Sequence, residues 1–241
     1  MIEFRGVRKA FGEHVVLEDL TLTVRDRETM VVIGYSGTGK SVLLKHVVGL
    51  LQPDAGQIIV DGQSVPDLDR DGLAALREQI GFVFQFAALF DSMTVAENVA
   101  LGLRRRKMSE DEIAERVAEA LAVVDLTGTD ERMPAELSGG MRKRVGIARA
   151  IALRPRYILY DEPTTGLDPV TAAVIDRLMV RTREHLGVTG IVVTHDMRSA
   201  YTVGDRIAML YEGRIRQVGT VPEIQATRDP VVRQFIEGNP S

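Results

Sequence analysis

The chain has 241 residues, 45% hydrophobic and 27% charged, the balance of an ordinary globular protein with one large domain or two small ones. Its formal net charge of -4 gives no bulk reason to bind nucleic acid, and the lack of cysteine excludes disulfides and thiolate metal sites. The opening stretch MIEFRGVRKAFGEH is too charged for a signal peptide, and the apolar run Val42 to Leu51, broken by Lys45 and His46, falls short of the about 20 residues of a bilayer span.

In chain order, LTLTV (Leu20 to Val24) alternates apolar and polar and reads as a half-buried strand. Met30 to Ile33 reads as a buried strand, and SVLLKHVVGLL soon after it as a helix. IIVDGQSV carries an Asp61-Gly62 hairpin signal. From about Phe86 to Ala135 the chain turns helical and charged, with a Ser109/Glu112 capping box and an apolar stripe of Ile113, Val117, Leu121 and Val124. LSGGMRKRVGIARA spaces Met141, Val145, Ala148 and Ala152 as a helix with Ser138 at its N-cap. Its first turn holds Gly139 and Gly140, each about 1 kcal/mol worse than alanine in a helix interior, which implies a close approach to bare backbone. Arg142, Lys143 and Arg144 read as a solvated helix face in preference to a nucleic-acid patch, and Arg104 to Lys107 as a charged loop in preference to a lipid-headgroup site. Tyr157 to Tyr160 and Ile191 to Val193 complete the buried strands, and their alternation with helical patterns predicts a mainly parallel α/β sheet. Pro230 opens a short helix with Val232, Phe235 and Ile236 along one side, too short to be stable without docking.

Three stretches carry chemistry. GYSGTGKS (Gly34, Tyr35, Ser36, Gly37, Thr38, Gly39, Lys40, Ser41) lies between a strand and a helix and matches the P-loop pattern. Its glycines let successive N–H groups face an anion at a helix N-terminus. Lys40 is suited to the β- and γ-phosphates and Ser41 to Mg²⁺. YILY ends in Asp161-Glu162, a solvated loop if it stood alone, but beside a P-loop a metal carboxylate and a proton acceptor. His195 ends the strand pattern GIVVTH.

The order GYSGTGKS, Gln85, LSGGM, YILYDEPTTGLDP and THD resembles the ATPase subunit of ABC transporters along essentially the whole chain. The resemblance implies a P-loop NTPase core (1–85 and 136–225) with an N-terminal antiparallel β subdomain, a helical subdomain (86–135) and a C-terminal tail (226–241). It implies ATP and Mg²⁺ as cofactors. Phe11 matches the aromatic that stacks on adenine, Gln85 the Q-loop residue contacting Mg²⁺ and sensing the γ-phosphate, and Glu162 the catalytic base. Asp168 matches the D-loop aspartate and His195 the switch histidine. Ser138, Gly139 and Gly140 match the signature that faces nucleotide held by a second copy of the chain. Met141 departs from the commonest signature, which has Gln there.

FVFQFAALFDSMTVAENVALGLR, the Met of LSGGM and DPVVRQFIEG are each similar to the Mce/Mla-type phospholipid transporter ATPases. That similarity implies a homodimer on the cytoplasmic face of the inner membrane, under transmembrane permease subunits and with a lipid-binding Mce-domain protein. It also favours a tail that reaches the sister subunit. An importer ATPase for amino acids or another small solute shares every site residue and is the alternative. No nucleic-acid partner is expected.

Overall fold

The computed structural model describes residues 1–106 and 108–238, so Lys107 of the basic run and the last three residues of the tail lie outside the described residues. Along the chain run β1 (Ile2–Phe11), β2 (His14–Val24), β3 (Thr29–Ile33), α1 (Lys40–Val47), β4 (Ala55–Val60), β5 (Gln63–Ser64), α2 (Arg70–Glu78) and β6 (Ile80–Val83). Next come α3 (Val95–Arg104), α4 (Glu110–Val123), α5 (Gly139–Ala152), β7 (Tyr157–Asp161) and α6 (Pro169–Leu186). The remainder is β8 (Thr189–Thr194), α7 (Met197–Val203), β9 (Arg206–Tyr211), β10 (Arg214–Thr220), α8 (Val221–Gln225) and α9 (Pro230–Ile236). These elements form two compact units, one of residues up to Arg77 and from Thr189 onward, the other Glu78–Val188.

The first unit holds an antiparallel sheet in the order β2-β1-β4-β5. Asp61 and Gly62 close its β4–β5 hairpin with φ of 50° and 80°, between the paired Val60 and Gln63. Both central residues are left-handed, the turn that an Asp-Gly pair favours. Beside this sheet, β3 pairs in parallel with β8 on one side and β9 on the other, and β10 returns antiparallel to β9. Met30, Val31, Val32 and Ile33 of β3 are fully buried, as a strand flanked by parallel neighbours and covered on both faces should be.

The second unit pairs β6 with β7 in parallel and gathers α3 to α6. The α4 capping box forms as the sequence predicts, Ser109 Oγ accepting from the Glu112 N–H at 3.3 Å and Glu112 Oε2 from the Ser109 N–H at 2.8 Å. Behind it Ile113, Val117, Leu121 and Val124 are buried. A second capping box, Thr94 with Glu97, starts α3, where Asn98 is fully buried and donates to the carbonyls of Phe90, Met93 and Thr94.

One expectation is corrected. The basic face of α5 is not solvated: Lys143 is 6% exposed and Arg144 donates to the carbonyls of Val124 and Asp125, leaving only Arg142 of the three exposed. Long cationic side chains pack their stems inward where backbone carbonyls can meet the head. The tail helix α9 finds its docking surface in its own unit. Asp229 caps it and pairs with Arg216 at 2.8 Å, while Val232 is fully buried.

Candidate functional site

In the first unit β3 feeds the Gly34–Gly39 loop. Gly37 and Gly39 take φ of 81° and 98°, which any side chain would resist. A Cβ on Gly34 would stand 2.5 Å from the Leu210 carbonyl oxygen, so the loop's first residue is held against its neighbour strand. Gly39 caps α1 with no side-chain hydrogen bond, so the helix directs its first N–H groups outward, as anion sites require. Lys40, the first residue of α1, is buried and donates to the carbonyls of Gly34 at 2.8 Å and Tyr35 at 3.0 Å, curling over the loop. Ser41 follows it, half-buried. In the β3–β8 ladder Ile33 stands opposite Thr194, so His195, exposed, leaves the sheet at the same end as the P-loop. Phe11, at the end of β1, is 48% exposed, with the Lys9 ammonium 5.6 Å from its ring centre. Its ring is therefore not part of the β-subdomain core.

In the second unit Val83 stands opposite Tyr160, which sends Gln85 and the Asp161-Glu162 pair off the same end of two adjacent strands. Glu162 is 9% exposed and adopts φ +48°, a strained conformation for a residue with a side chain. Thr165 Oγ1 donates to Glu162 Oε2 at 3.1 Å and fixes the carboxylate's direction. The Lys143 ammonium donates to the Gln85 carbonyl, and to the Glu162 carbonyl at 3.4 Å. Burial pushes the Lys143 pKa down, opposed by the charges of Glu162 and Asp161. The sequence reads Lys143 as part of a solvated face, whereas the structure buries it between the ends of β6 and β7.

Asp168 caps α6, accepting from the N–H groups of Val170 and Thr171, both at 3.0 Å, and from the Thr171 hydroxyl. The Thr171 hydroxyl, then its N–H, hold the carboxyl below its usual range. The carboxylate is thus committed to shaping the turn before α6. Ser138 caps α5 through its Oγ and the Met141 N–H at 3.2 Å. The two signature glycines have different reasons. Gly139 is exposed, and an added Cβ would meet nothing closer than Leu167 Cδ2 at 3.8 Å. Gly140 is buried, and its Cβ would strike Thr171 Cγ2 at 2.5 Å, so packing on α6 already demands that glycine.

Ser41, Gln85 and Asp161, the residues proposed for Mg²⁺, offer a hydroxyl, an amide and a carboxylate. Such an oxygen-donor set fits a hard cation that keeps waters and phosphate oxygens as its other ligands. Among the described residues no group of three or more His, Cys, Asp or Glu forms an all-protein cage.

The model of the ABC transporter family matches residues 17–165. The ribonucleotide transport ATP-binding protein mkl of Mycobacterium bovis is 43% identical over 98% of this chain and 66% of its own length, so the chain spans just under two thirds of that relative. The protein TRIGALACTOSYLDIACYLGLYCEROL 3, chloroplastic, of Arabidopsis thaliana is 42% identical over 99% of this chain and 74% of its own length. Other relatives carry import names, methionine and sulfate/thiosulfate among them. Among solved structures, the ATP-binding cassette MJ0796, a dimer in a post-hydrolysis state bound to ADP and Pi, superposes with a TM-score of 0.83 at 36% identity, over 92% of this chain and 99% of that one. The chain belongs to the ABC transporter family, as an ATP-binding, ATPase domain with the P-loop NTPase fold.

Proposed function

We propose that two copies of this chain sandwich ATP and power a transporter for phospholipid, docked through permease subunits on the cytoplasmic face of the inner membrane and working with a lipid-binding Mce-domain protein. At each site the P-loop N–H groups and Lys40 hold the β- and γ-phosphates, and the exposed Phe11 ring stacks on adenine. Ser41, Gln85 and Asp161 hold Mg²⁺, which when bound neutralises charge on the phosphates. Glu162, aimed by Thr165, accepts a proton from the attacking water, and His195 contacts the γ-phosphate. Ser138 and Gly139 of the second copy present helix N–H groups to the same phosphate.

The observation that supports coupling to a membrane partner is the apolar surface beside Gln85. Phe86 is 84% exposed and Phe90 50%, so neither serves the core of its own unit. Support for lipid as cargo is the run FVFQFAALFDSMTV with LSGGM and the tail. The import names among the relatives favour the second reading, a small-solute importer with the same hydrolytic site. Purifying the intact complex from membranes and identifying its subunits and bound small molecules tests the choice. An Mce-domain protein with bound phospholipid is the expected result. A periplasmic solute receptor without lipid would establish the importer instead.

A further inference from the structure

The helix α5 carries more than the signature at its start. Arg149 donates to the carbonyls of Ala87 and Ala88, both at 2.6 Å, and these two residues sit in the left-handed region with φ of 59° and 47°. Lys143, on the same helix, reaches the Gln85 carbonyl just ahead of that turn. The segment after β6 therefore hangs from α5 by two cations. Only Lys143 also touches the other strand end, at the Glu162 carbonyl.

A lysine 94% removed from solvent is costly unless its ammonium is hydrogen-bonded and charge-balanced. Here it spends its donors on main-chain oxygens of the two residues whose side chains carry sensing and proton transfer. The strained backbone of Glu162 persists only if its surroundings over-determine it. Its carbonyl accepts from Lys143, and, at 3.3 Å, from the Thr165 N–H. We propose that Lys143 is a positioning residue for ATP hydrolysis, one ammonium fixing the backbones of Gln85 and Glu162 to each other and to the signature helix. The role rests on Glu162 as the base. Lys143 touches no reacting atom; it acts through where the base points, and errors of about 1 Å in such placement cost about 10²-fold in rate.

The test compares Lys143→Met, which keeps length but removes charge and donors, with Lys143→Gln and Lys143→Arg. Lys143→Met and Lys143→Gln should lower kcat about 10–100-fold while KM for ATP moves less than about twofold, the pattern of a lost transition-state interaction. Their thermal melting should stay near wild type, since an apolar or neutral side chain replaces a desolvated charge. Lys143→Arg, which restores a cation with several donors, should recover most of the rate. Wild-type turnover in the Met and Gln variants would overturn the proposal. So would a KM that rises with the loss of rate, or an Arg variant as slow as the Met one. Glu162→Gln run alongside separates the two ideas. If it turns over like wild type, the base assignment fails; if it is inactive and Lys143→Met is not, the positioning role fails alone.

Discussion

Tyr35, the second residue of the P-loop, meets Phe235 of α9 edge to face, with ring centres 4.9 Å apart and planes at 86°. Such pairs contribute about 0.5–1.5 kcal/mol beyond the area they bury. Val232, one turn earlier, is fully buried, a further contribution of about 1.5–3 kcal/mol. Truncation after Thr227 should therefore lower the melting temperature of the isolated monomer, by the same amount at every protein concentration. A truncated chain that melts like wild type as a monomer, and loses activity only on dilution, would restore the sister-subunit contact that the sequence suggested.

Gly139 and Gly140 should separate stability from activity. Gly140→Ala meets Thr171 at 2.5 Å and should destabilise the free monomer by about 1–3 kcal/mol, the usual cost of overpacking. Gly139→Ala has room and removes a poor helix former, so the monomer should hold or gain up to about 1 kcal/mol. Its ATPase activity should still fall, because in the proposed dimer the added methyl faces the second copy's nucleotide. Urea unfolding beside ATPase rates checks both; equal effects of the two substitutions would defeat the distinction.

Much of this was legible in the sequence. The P-loop, the Asp61-Gly62 turn, the Ser109/Glu112 box and the strands around Met30, Tyr157 and Ile191 all follow from local rules of period, turn and cap, and all are present. What failed was long-range. Nothing local distinguishes Lys143 from a solvated lysine, because its partners Gln85 and Glu162 lie far away in sequence. Gly140 likewise owes its smallness to Thr171. The chain's opposite ends, Tyr35 and Phe235, meet for the same reason: the β9–β10 hairpin returns the tail to its own unit, and period alone did not reveal those strands.

Phe11→Ala should weaken ATP and GTP binding alike, by about 1–3 kcal/mol, because stacking tolerates base identity. Melting of the nucleotide-free protein should hardly change, since the ring is 48% exposed. Titration of both nucleotides beside melting curves checks this. A large fall in melting temperature with unchanged affinity would assign Phe11 to the fold.

His46 is fully buried in α1, its Nδ1 2.7 Å from the Val42 carbonyl oxygen. Burial, the largest influence, lowers its pKa below the ordinary 6.5; Lys9 adds to this, while the Val42 and Gln52 backbone bonds and Asp54 oppose it. The unfolded chain therefore binds a proton that the folded chain refuses. This stability is present above about pH 6.5 and is lost as pH falls from there through the lower folded value. His46→Gln should flatten the decline of melting temperature between about pH 6.5 and 5. An unchanged slope in that window would show that other groups govern it.

If Glu162 is the base in a site completed by a second copy, its carboxylate is indispensable to turnover and dispensable to ATP binding. Glu162→Gln, incubated with ATP and Mg²⁺ and followed by size exclusion and phosphate release, tests it most directly. The variant should keep wild-type ATP affinity, hydrolyse ATP about 10²–10⁴-fold more slowly, and accumulate as an ATP-bound dimer. Phosphate release at the wild-type rate, with the chain remaining a monomer, would contradict it.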